Sequence, residues 1–198
     1  MSSPRGSTRT AMLVTAAELL RERGAAGVTI DAVLARSGSP RGSVYHHFPE
    51  GRSQLLREAL QFAGDEIAAT IDRAASGDGT ALLLQFVELW REALIASDYR
   101  AGSPVLAAAV GCGPDEQQLT SVAADIFRRW REATVQAFGR EGFDRAEATA
   151  LAHTSIAALE GAVALCRSLR SPEPLNDVAA QMEFLIKARQ FVAGESSR

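Results

Sequence analysis

Apolar residues recur every three or four positions along most of this chain, and that spacing is typical of amphipathic helices. In the first such segment, 8–23, one helical face carries Leu13, Ala16, Ala17 and Leu20, and Gly24 is expected to end the helix. No strict alternation of apolar and polar residues extends over more than a few positions. Alanine is abundant and aromatic residues are only 6%, which also favours packed helices. The pattern predicts an all-α fold.

Glycine, proline and capping residues divide the pattern into about nine predicted helices. Their expected ranges are 8–23, 30–36, 40–46, 52–75, 80–97, 105–110, 114–140, 144–170 and 175–192. Thr29 and Asp144 are expected N-caps, because a short side-chain oxygen can accept a hydrogen bond from a free amide of the first turn. Ser39 is expected to cap the third helix in the same way, with Pro40 at its first position.

The stretch from Thr29 to Leu56 is the most informative part of the chain, since it predicts two short helices joined by a tight Ser37-Gly38-Ser39 turn. A short helix held at a fixed angle to another can enter the major groove of DNA. Val44 and Phe48, four residues apart, are expected to point inward, so that polar and basic side chains remain on the other side.

Those polar positions are candidate DNA contacts, and each residue type has a chemical reason. Arginine can pair with guanine edges, serine, tyrosine and histidine can reach base edges or phosphates, and Gly42 allows close approach of the backbone. Thr29 at a helix N-terminus suits a phosphate, and Arg52 can clamp a flanking phosphate. The candidates identified from the residues are Thr29, Ser39, Arg41, Gly42, Ser43, Tyr45, His46 and Arg52.

Other interpretations remain open for several of these side chains. Tyr45 can equally belong to the core, and Arg41 can be an ordinary surface charge. His46 and His47 can pack or bind a metal, although adjacent residues point apart on a helix and only His153 stands elsewhere in the chain. No metal site is expected.

Charge is distributed unevenly along the 198 residues, whose formal net charge is -3. Residues 1–57 contain eight arginines and four acidic residues, a net charge of +4, so the remainder carries -7. A basic region attached to an acidic body fits a protein that contacts a polyanion at one end only. Chance scatter of surface charge is the alternative.

The remaining composition excludes several classes of protein. Cys112 and Cys166 lack metal-site spacing and are too few for a disulfide framework. No secretory signal and no apolar run of about 20 residues is found, so a soluble cytoplasmic protein without membrane contact is expected. The sequence also lacks a glycine-rich phosphate loop, a nucleophile elbow and a zinc-ligand cluster, and we expect neither enzyme activity nor a cofactor.

Residues 8–60 resemble the TetR family of bacterial transcriptional regulators. The resemblance rests on AAELLRERG in the first predicted helix, the Thr29-Ile30 start of the second, and SGSPRGSVYHHF followed by a basic residue and two leucines. It implies a DNA-binding domain of three helices over residues 1–50 and a larger helical domain over 51–198 that binds a ligand and dimerises. It also aligns Thr29 with a phosphate contact and six residues with usual DNA-contact positions: Arg41, Gly42, Ser43, Tyr45, His47 and Arg52.

One departure from the family pattern is informative. An additional residue stands between Phe48-Pro49 and the basic residue of the fourth helix, which is Arg52 where lysine is common. This feature is similar to the LmrA/YxaF-like branch, as are Gly102-Ser103-Pro104-Val105 and ALEGAVALCRSLRSPEPL at 158–175. The resemblance implies a repressor that responds to an aromatic, drug-like molecule.

Aromatic residues at helical spacing in the larger region can line an effector cavity or simply form the core. The candidate ligand contacts are Phe62, Phe86, Trp90, Cys112, Phe127, Trp130 and His153, and the candidate polar anchors are Ser97, Cys112, His153 and Glu160. Small residues are concentrated in 144–170. This helix and the last one are expected to form a four-helix dimer interface, with an intramolecular core as the alternative.

The sequence therefore predicts a homodimeric, ligand-responsive repressor that binds a near-palindromic operator. Its expected partners are double-stranded DNA, a second copy of itself, and a small apolar or aromatic effector that releases the DNA. A small-molecule-binding or protein-interaction module without specific DNA binding is the alternative.

Overall fold

The computed structural model describes residues 5–74, 78–111 and 117–196, and every regular element in these ranges is helical. The nine α-helices found there are α1 (Arg5–Arg23), α2 (Ile30–Ser37), α3 (Ser43–His47), α4 (Arg52–Ala74), α5 (Gly79–Ala96), α6 (Pro104–Val110), α7 (Gln117–Arg140), α8 (Arg145–Leu169) and α9 (Glu173–Ser196). A 3-10 turn, Ala25–Gly27, separates α1 from α2. The prediction of an all-α fold with about nine helices is confirmed.

Most observed helix ends lie within one residue of the predicted ones, but α1 begins three residues earlier, α9 ends four residues later and α3 begins three residues later. α3 begins at Ser43 rather than at Pro40, its N-cap is Gly42, and the described residues supply no capping side chain. Ser39 instead accepts a hydrogen bond at its Oγ from the Ser37 hydroxyl, at 2.9 Å. The prediction that Ser39 caps this helix is wrong, because residues 41–42 form a turn in which the Ser43 amide donates to the Pro40 carbonyl at 2.9 Å.

The chain divides into two compact units. The first comprises residues 1–66 and 101–127, and the second comprises residues 67–100 and 128–198. Helices α4 and α7 each begin in the first unit and end in the second. The helical pair predicted to bind DNA, α2 and α3, lies in the first unit.

The core of the first unit forms where α1 packs on α2 and on α6. Its largest fully buried side chains include Met12, Leu19, Leu20, Phe48, Leu55, Leu56 and Leu60. The guanidinium of Arg9 lies over the Phe48 ring, 5.3 Å from its centroid, and pairs with Glu58 of α4. Phe48 is thus held from several sides, and it fixes the end of α3 to the core.

The core of the second unit forms among α5, α8 and α9. Its largest fully buried side chains include Trp130, Phe138, Leu82 and Leu94. Cys166 is a free, buried thiol on α8, and burial raises its pKa, which fits the small apolar role expected for it. Cys112 lies outside the described residues.

Helix α8 is long and apolar enough to cross a membrane by length and composition alone, with a mean hydropathy of 1.3 over its most apolar stretch. The core helix of a soluble protein passes the same test. α8 packs against both α5 and α9, and its buried positions include Leu151, Leu159, Val163 and Cys166, spaced as on one helical face. Packing inside the second unit accounts for this buried face, while Leu165 and Leu169 of the same helix are exposed.

Candidate nucleic-acid interface and buried cavity

The start of α2 has the geometry that the sequence predicts. Thr29 is extended, with φ -106° and ψ 155°, and its Oγ1 accepts a hydrogen bond from the Ala32 amide at 3.1 Å. The helix ends at Gly38, whose φ of 67° lies in the left-handed region that favours glycine. The Thr29 cap is confirmed, and the turn between α2 and α3 is tight.

Helix α3 presents one apolar and one polar side. Val44 and Phe48 are fully buried, as their spacing predicts. Tyr45 is 63% exposed and its neighbour His46 is also exposed. The interpretation of Tyr45 as a core residue is therefore wrong. Its phenol stands on the outer surface, where a base or phosphate can reach it.

Arg41, in the turn before α3, is also exposed, with 82% of its side chain accessible. Its Nη2 donates to Asp31 Oδ1 of α2 at 2.8 Å. Ion pairs between exposed side chains contribute only about 0–1 kcal/mol, because water solvates both partners well. A phosphate or a guanine edge can therefore replace Asp31 at little cost.

The backbone at Gly42 does not require glycine, whereas the side chain of the neighbouring Ser43 stabilises the turn. Gly42 has φ -70° and ψ -15°, which any residue adopts, and an added Cβ there meets nothing within 4 Å. The fold itself does not need glycine at this position, so its small size leaves the surface open to an approaching molecule. The half-buried Ser43 donates its hydroxyl to the Pro40 carbonyl at 2.5 Å, which fixes the turn before α3.

The adjacent histidines face different surroundings. Their ring centroids lie 5.0 Å apart with an interplanar angle of 68°. His47 is half-buried and its ring meets Phe48 edge to face, at 6.5 Å. In the parts of the chain that the structure describes, no group of three or more His, Cys, Asp or Glu residues is placed to hold a metal ion. His46 is the histidine that α3 presents outward.

Arg52, at the start of α4, has partners that the sequence analysis did not anticipate. Its Nε donates to the Val28 carbonyl and its Nη2 to the Ala25 carbonyl, both at 2.7 Å. The side chain is half-buried and joins α4 to the segment that leads into α2. No local pattern could reveal these bonds, because the partners are 24 and 27 residues away. A phosphate contact by Arg52 stays a prediction.

Several arginines of the basic region have acidic partners within the first unit. Arg36 donates to both carboxylate oxygens of Glu22, at 2.8 and 2.9 Å, and lies 3.1 Å from Glu18. The hydrogen bond to Glu22 raises the pKa of Arg36. Arg57 pairs with Glu50 at 3.1 Å. The surface charge is accordingly less positive than the count of arginines indicates.

The second unit contains a cavity of about 430 Å³, counting the part open to solvent. Its walls come from α5, α7 and α8. Three candidate ligand contacts line it, namely Phe86, Trp90 and Trp130, and so does the candidate anchor Glu160. Phe86 and Trp130 meet edge to face with ring centroids 6.2 Å apart. The cavity is predominantly apolar, as expected of a small-molecule site.

The other candidates for the ligand site lie elsewhere. Phe62 and Phe127 are half-buried residues of the first unit and do not line this cavity. His153 is exposed on α8, so its expected role as an anchor in the cavity is wrong. Ser97 is the C-cap of α5, where its hydroxyl donates to the Leu94 carbonyl at 3.1 Å. Cys112 lies outside the described residues.

Ser155 and Thr134 also line the cavity, and the sequence did not identify them. Ser155 and Glu160 are the buried polar residues on the inner face of α8. A polar residue at a position whose helical neighbours are apolar was the available signal for Ser155. Thr134 gave no such signal in the sequence. In the structure its hydroxyl donates to the Trp130 carbonyl at 2.8 Å, within its own helix.

Helices α8 and α9 also carry large apolar side chains on their outer surfaces. The exposed residues are Leu165, Leu169, Phe184, Phe191 and Val192, with between 52% and 70% of each accessible. Gly161 is exposed on α8, and an added Cβ there meets nothing within 4 Å. Such a concentration of exposed apolar side chains is typical of a protein–protein contact surface.

Known proteins share both the fold and the sequence pattern. An HTH-type transcriptional regulator of Mycobacterium tuberculosis is 42% identical over 185 residues, which cover 91% of this chain and 94% of that protein. The HTH-type transcriptional regulator LmrA of Bacillus subtilis is 24% identical, with coverage of 92% and 98%. The solved structure of a TetR transcriptional regulator from Legionella pneumophila has the same fold, with a TM-score of 0.79, 18% identity and coverage of 93% and 98%.

Family models match both halves of the chain. Residues 12–59 match bacterial regulatory proteins of the tetR family. Residues 80–181 match the C-terminal domain of LmrA/YxaF-like transcriptional regulators. The extra residue before Arg52 and the motifs at 102–105 and 158–175 had indicated the same branch. The chain therefore belongs to the TetR family of transcriptional regulators, with a C-terminal domain of the LmrA/YxaF-like kind.

Proposed function

We propose that this regulator is a cytoplasmic, homodimeric repressor that binds a near-palindromic operator and leaves it when a small apolar or aromatic effector binds. The outer surface of α3 is the observation that carries the proposal. Tyr45 and His46 are exposed on α3 and Arg41 is exposed in the turn just before it, while Val44 and Phe48 fix the same short helix to the core. A rigid element with an open polar face is what base-edge recognition requires.

The proposed DNA-binding domain comprises residues 1–50, and the proposed ligand-binding and dimerisation domain comprises 51–198. In the first, Arg41 and His46 contact base edges, Gly42 admits the groove wall, and Tyr45 contacts the sugar–phosphate backbone. The capped start of α2 at Thr29 takes a phosphate, since free amides point outward there. The remaining proposed contacts are Ser39, Ser43, His47 and Arg52.

The proposed dimer forms through α8 and α9. Its support is the exposed apolar surface of these helices, together with the small side chains at Ala150, Ala157, Gly161 and Ala164, all of which are exposed on α8. Small residues let two helices approach closely, and large apolar ones lose water contact when they do. A two-fold dimer would present two copies of α3 about 34–36 Å apart, one turn of DNA.

The proposed release mechanism is a shift between two dimer arrangements. An effector that binds more tightly to the arrangement in which the two α3 helices are wrongly spaced lowers the affinity for the operator. The size of the loss is set by the difference between the effector's affinities for the two arrangements. Each tenfold loss of affinity needs about 1.4 kcal/mol of such preference. Helix α4 is continuous from Arg52 in the first unit to Ala74 in the second.

A gel-shift titration with the DNA upstream of the protein's own gene tests this function. We expect a discrete complex that survives excess unrelated competitor DNA and weakens steeply as salt rises. The specific affinity should exceed that for a scrambled fragment by about 10³-fold or more. Equal binding to both fragments, or none, would instead favour a small-molecule-binding or protein-interaction module without specific DNA binding.

A further inference from the structure

We infer that Asp31 determines sequence specificity by acting through Arg41: it lets Arg41 pair with an uncharged guanine edge and opposes the pairing of Arg41 with a phosphate. This inference rests on the proposed function, because it concerns how the DNA-binding surface separates an operator from other DNA. Asp31 is a positioning residue in this role, since the base edge is contacted by Arg41.

Asp31 and Arg41 form an ion pair that stands almost entirely in water. Asp31 belongs to the first turn of α2, and Arg41 lies in the turn before α3. Arg41 Nη2 donates to Asp31 Oδ1 at 2.8 Å, and the two side chains are 82% and 76% exposed. DNA that approaches Arg41 therefore also approaches the carboxylate of Asp31.

The charges around this pair are few. Residues 29–48, from the cap of α2 to the end of α3, contain one acidic residue, Asp31, and two arginines, Arg36 and Arg41. Arg36 donates to both carboxylate oxygens of Glu22 in α1, at 2.8 and 2.9 Å. Arg41 is thus the arginine of this stretch that is more open to DNA, and Asp31 supplies the negative charge beside it.

A guanine edge can bind Arg41 without conflict with Asp31. A guanidinium carries several N–H groups in a planar fork, and Asp31 accepts from one nitrogen, Nη2. The remaining N–H groups can donate to guanine O6 and N7, which are uncharged acceptors. The carboxylate does not repel a neutral base edge, and it restricts the orientations of the guanidinium.

A phosphate at Arg41 is in a different position, because it brings a second negative charge to the same guanidinium. Breaking the exposed ion pair costs little, but the carboxylate stays on α2, next to whatever Arg41 binds. Repulsion between the phosphate and Asp31 then offsets part of the attraction to Arg41. Non-specific affinity comes almost entirely from phosphate contacts, so Asp31 lowers it more than it lowers operator affinity.

Asp31 also has a purely structural role as an acidic residue at the N-terminus of α2, where the helix dipole favours a negative charge. Loss of that role alone would lower the stability of α2 and change the affinities for all DNA together. The ratio between operator affinity and non-specific affinity therefore distinguishes the specificity role from the structural one.

The experiment measures fluorescence anisotropy of the full-length protein with the DNA upstream of its own gene and with a scrambled fragment, over a range of salt concentrations. In Asp31→Asn, affinity for the scrambled fragment should rise about two- to threefold at low salt, while affinity for the upstream fragment changes less than about 1.5-fold. The ratio of the two affinities should thus fall about twofold. The salt slope for the scrambled fragment should steepen by about one, because Arg41 gains a phosphate contact.

Three further variants locate the effect. Asp31→Glu keeps the charge and should keep the wild-type ratio. In the Arg41→Ala background, Asp31→Asn should leave the ratio and the salt slope unchanged, because Asp31 acts through Arg41. Glu147→Gln removes a carboxylate from the first turn of α8 in the second unit, so it is matched in charge and helix position and should behave like the wild type. Thermal unfolding checks that each variant is folded.

The inference is overturned if the wild type prefers the upstream fragment and Asp31→Asn keeps both its ratio and its salt slope. It is equally overturned if the ratio falls as far in Asp31→Glu, or falls in the Arg41→Ala background. These results leave the proposed function intact, since specific binding by the wild type persists. Equal binding of the two fragments by the wild type is a different result, which contradicts the proposed function and the inference together.

Discussion

The two candidate regions hold their polar side chains in opposite surroundings. Tyr45 of α3 and Arg41 of the turn before it are mostly exposed, and the ion pair of Arg41 is with an exposed aspartate. In the cavity, Glu160 and Ser155 are almost completely buried among rings. An exposed surface can exchange weak internal partners for a large charged one at little cost. Buried polar groups can change partners only when a small molecule enters the cavity and brings polar groups of its own.

This difference assigns the two regions to two kinds of partner. The outer surface of α3 suits a long polyanion whose phosphates and base edges replace solvent. The cavity suits a single small molecule whose binding energy comes from desolvation and a few polar contacts. Four substitutions test that assignment.

The largest expected effect comes from Gly161→Arg on the exposed surface of α8. A long charged side chain at a close helix contact should prevent dimerisation, and loss of two-site binding should lower operator affinity by about 100-fold or more. Gly139→Arg is the matched control, because Gly139 is also an exposed helical glycine with nothing within 4 Å of an added Cβ. Light scattering gives the molar mass, and a dimeric Gly161→Arg protein would contradict the proposed interface.

Arg41→Ala should have the next largest effect. Loss of a bidentate contact to a base edge should weaken operator binding about 10- to 100-fold and relax the preference at one base position. Arg145→Ala is the control, since the side chain of Arg145 is also 82% exposed and paired with a carboxylate. Competition titrations against single-base operator variants provide the measurement. If Arg41→Ala binds the operator with wild-type affinity, Arg41 does not contact the DNA.

Arg52→Ala should affect both stability and DNA binding. It removes two hydrogen bonds from a half-buried guanidinium to the Val28 and Ala25 carbonyls, and we expect a loss of about 1–2 kcal/mol in the free energy of unfolding. Arg57→Ala, which removes an ion pair with the exposed Glu50 and a hydrogen bond to the exposed Gln118, should lose less, about 0.5 kcal/mol. Urea unfolding of the two variants compares them. An unchanged midpoint for Arg52→Ala would show that these bonds do not hold α4 to α2.

The salt dependence of the same variant separates two roles for Arg52. A positioning residue lowers operator affinity without changing the slope of log K against log salt concentration. A phosphate contact flattens that slope by about one for each contact removed.

Asp31→Asn should have the smallest effect, and in the opposite direction. It frees the guanidinium of Arg41 and removes a negative charge from the DNA-facing side, so non-specific DNA affinity should rise about two- to threefold. It also removes a favourable acidic residue from the first turn of α2, so a small loss of thermal stability should accompany it. Fluorescence anisotropy at low salt measures the first effect, and lower affinity would contradict it.

The sequence predicted the local structure of α2 and α3 far better than the lining of the cavity, because that local structure depends on residues close together in the chain. The cap at Thr29, the turn at Gly38 and the inward pair Val44 and Phe48 all depend on residues within a few positions of one another. Local chemistry therefore fixes them. The late start of α3 escaped prediction because a turn at 41–42 competes with a proline-led helix start, and both are locally acceptable.

The cavity depends on side chains that three helices bring together from distant parts of the chain. Spacing alone identified Phe86, Trp90 and Trp130 as aromatic candidates, but it could not separate them from Phe62 and Phe127, which occur in a similar pattern. His153 was a candidate ligand contact because of its side-chain chemistry, but it lies on the exposed side of α8. Long-range contacts such as those of Arg52 were equally hidden. The family resemblance supplied the function of the region but not its residues.

The central claim is that the outer surface of α3 recognises one DNA sequence. The most direct measurement is the affinity of the wild-type protein for the DNA upstream of its own gene and for a scrambled fragment of equal length, across a range of salt concentrations. We expect much tighter binding to the natural fragment at every salt concentration and a steep decline with salt. Identical affinities for the two fragments at all salt concentrations would contradict it.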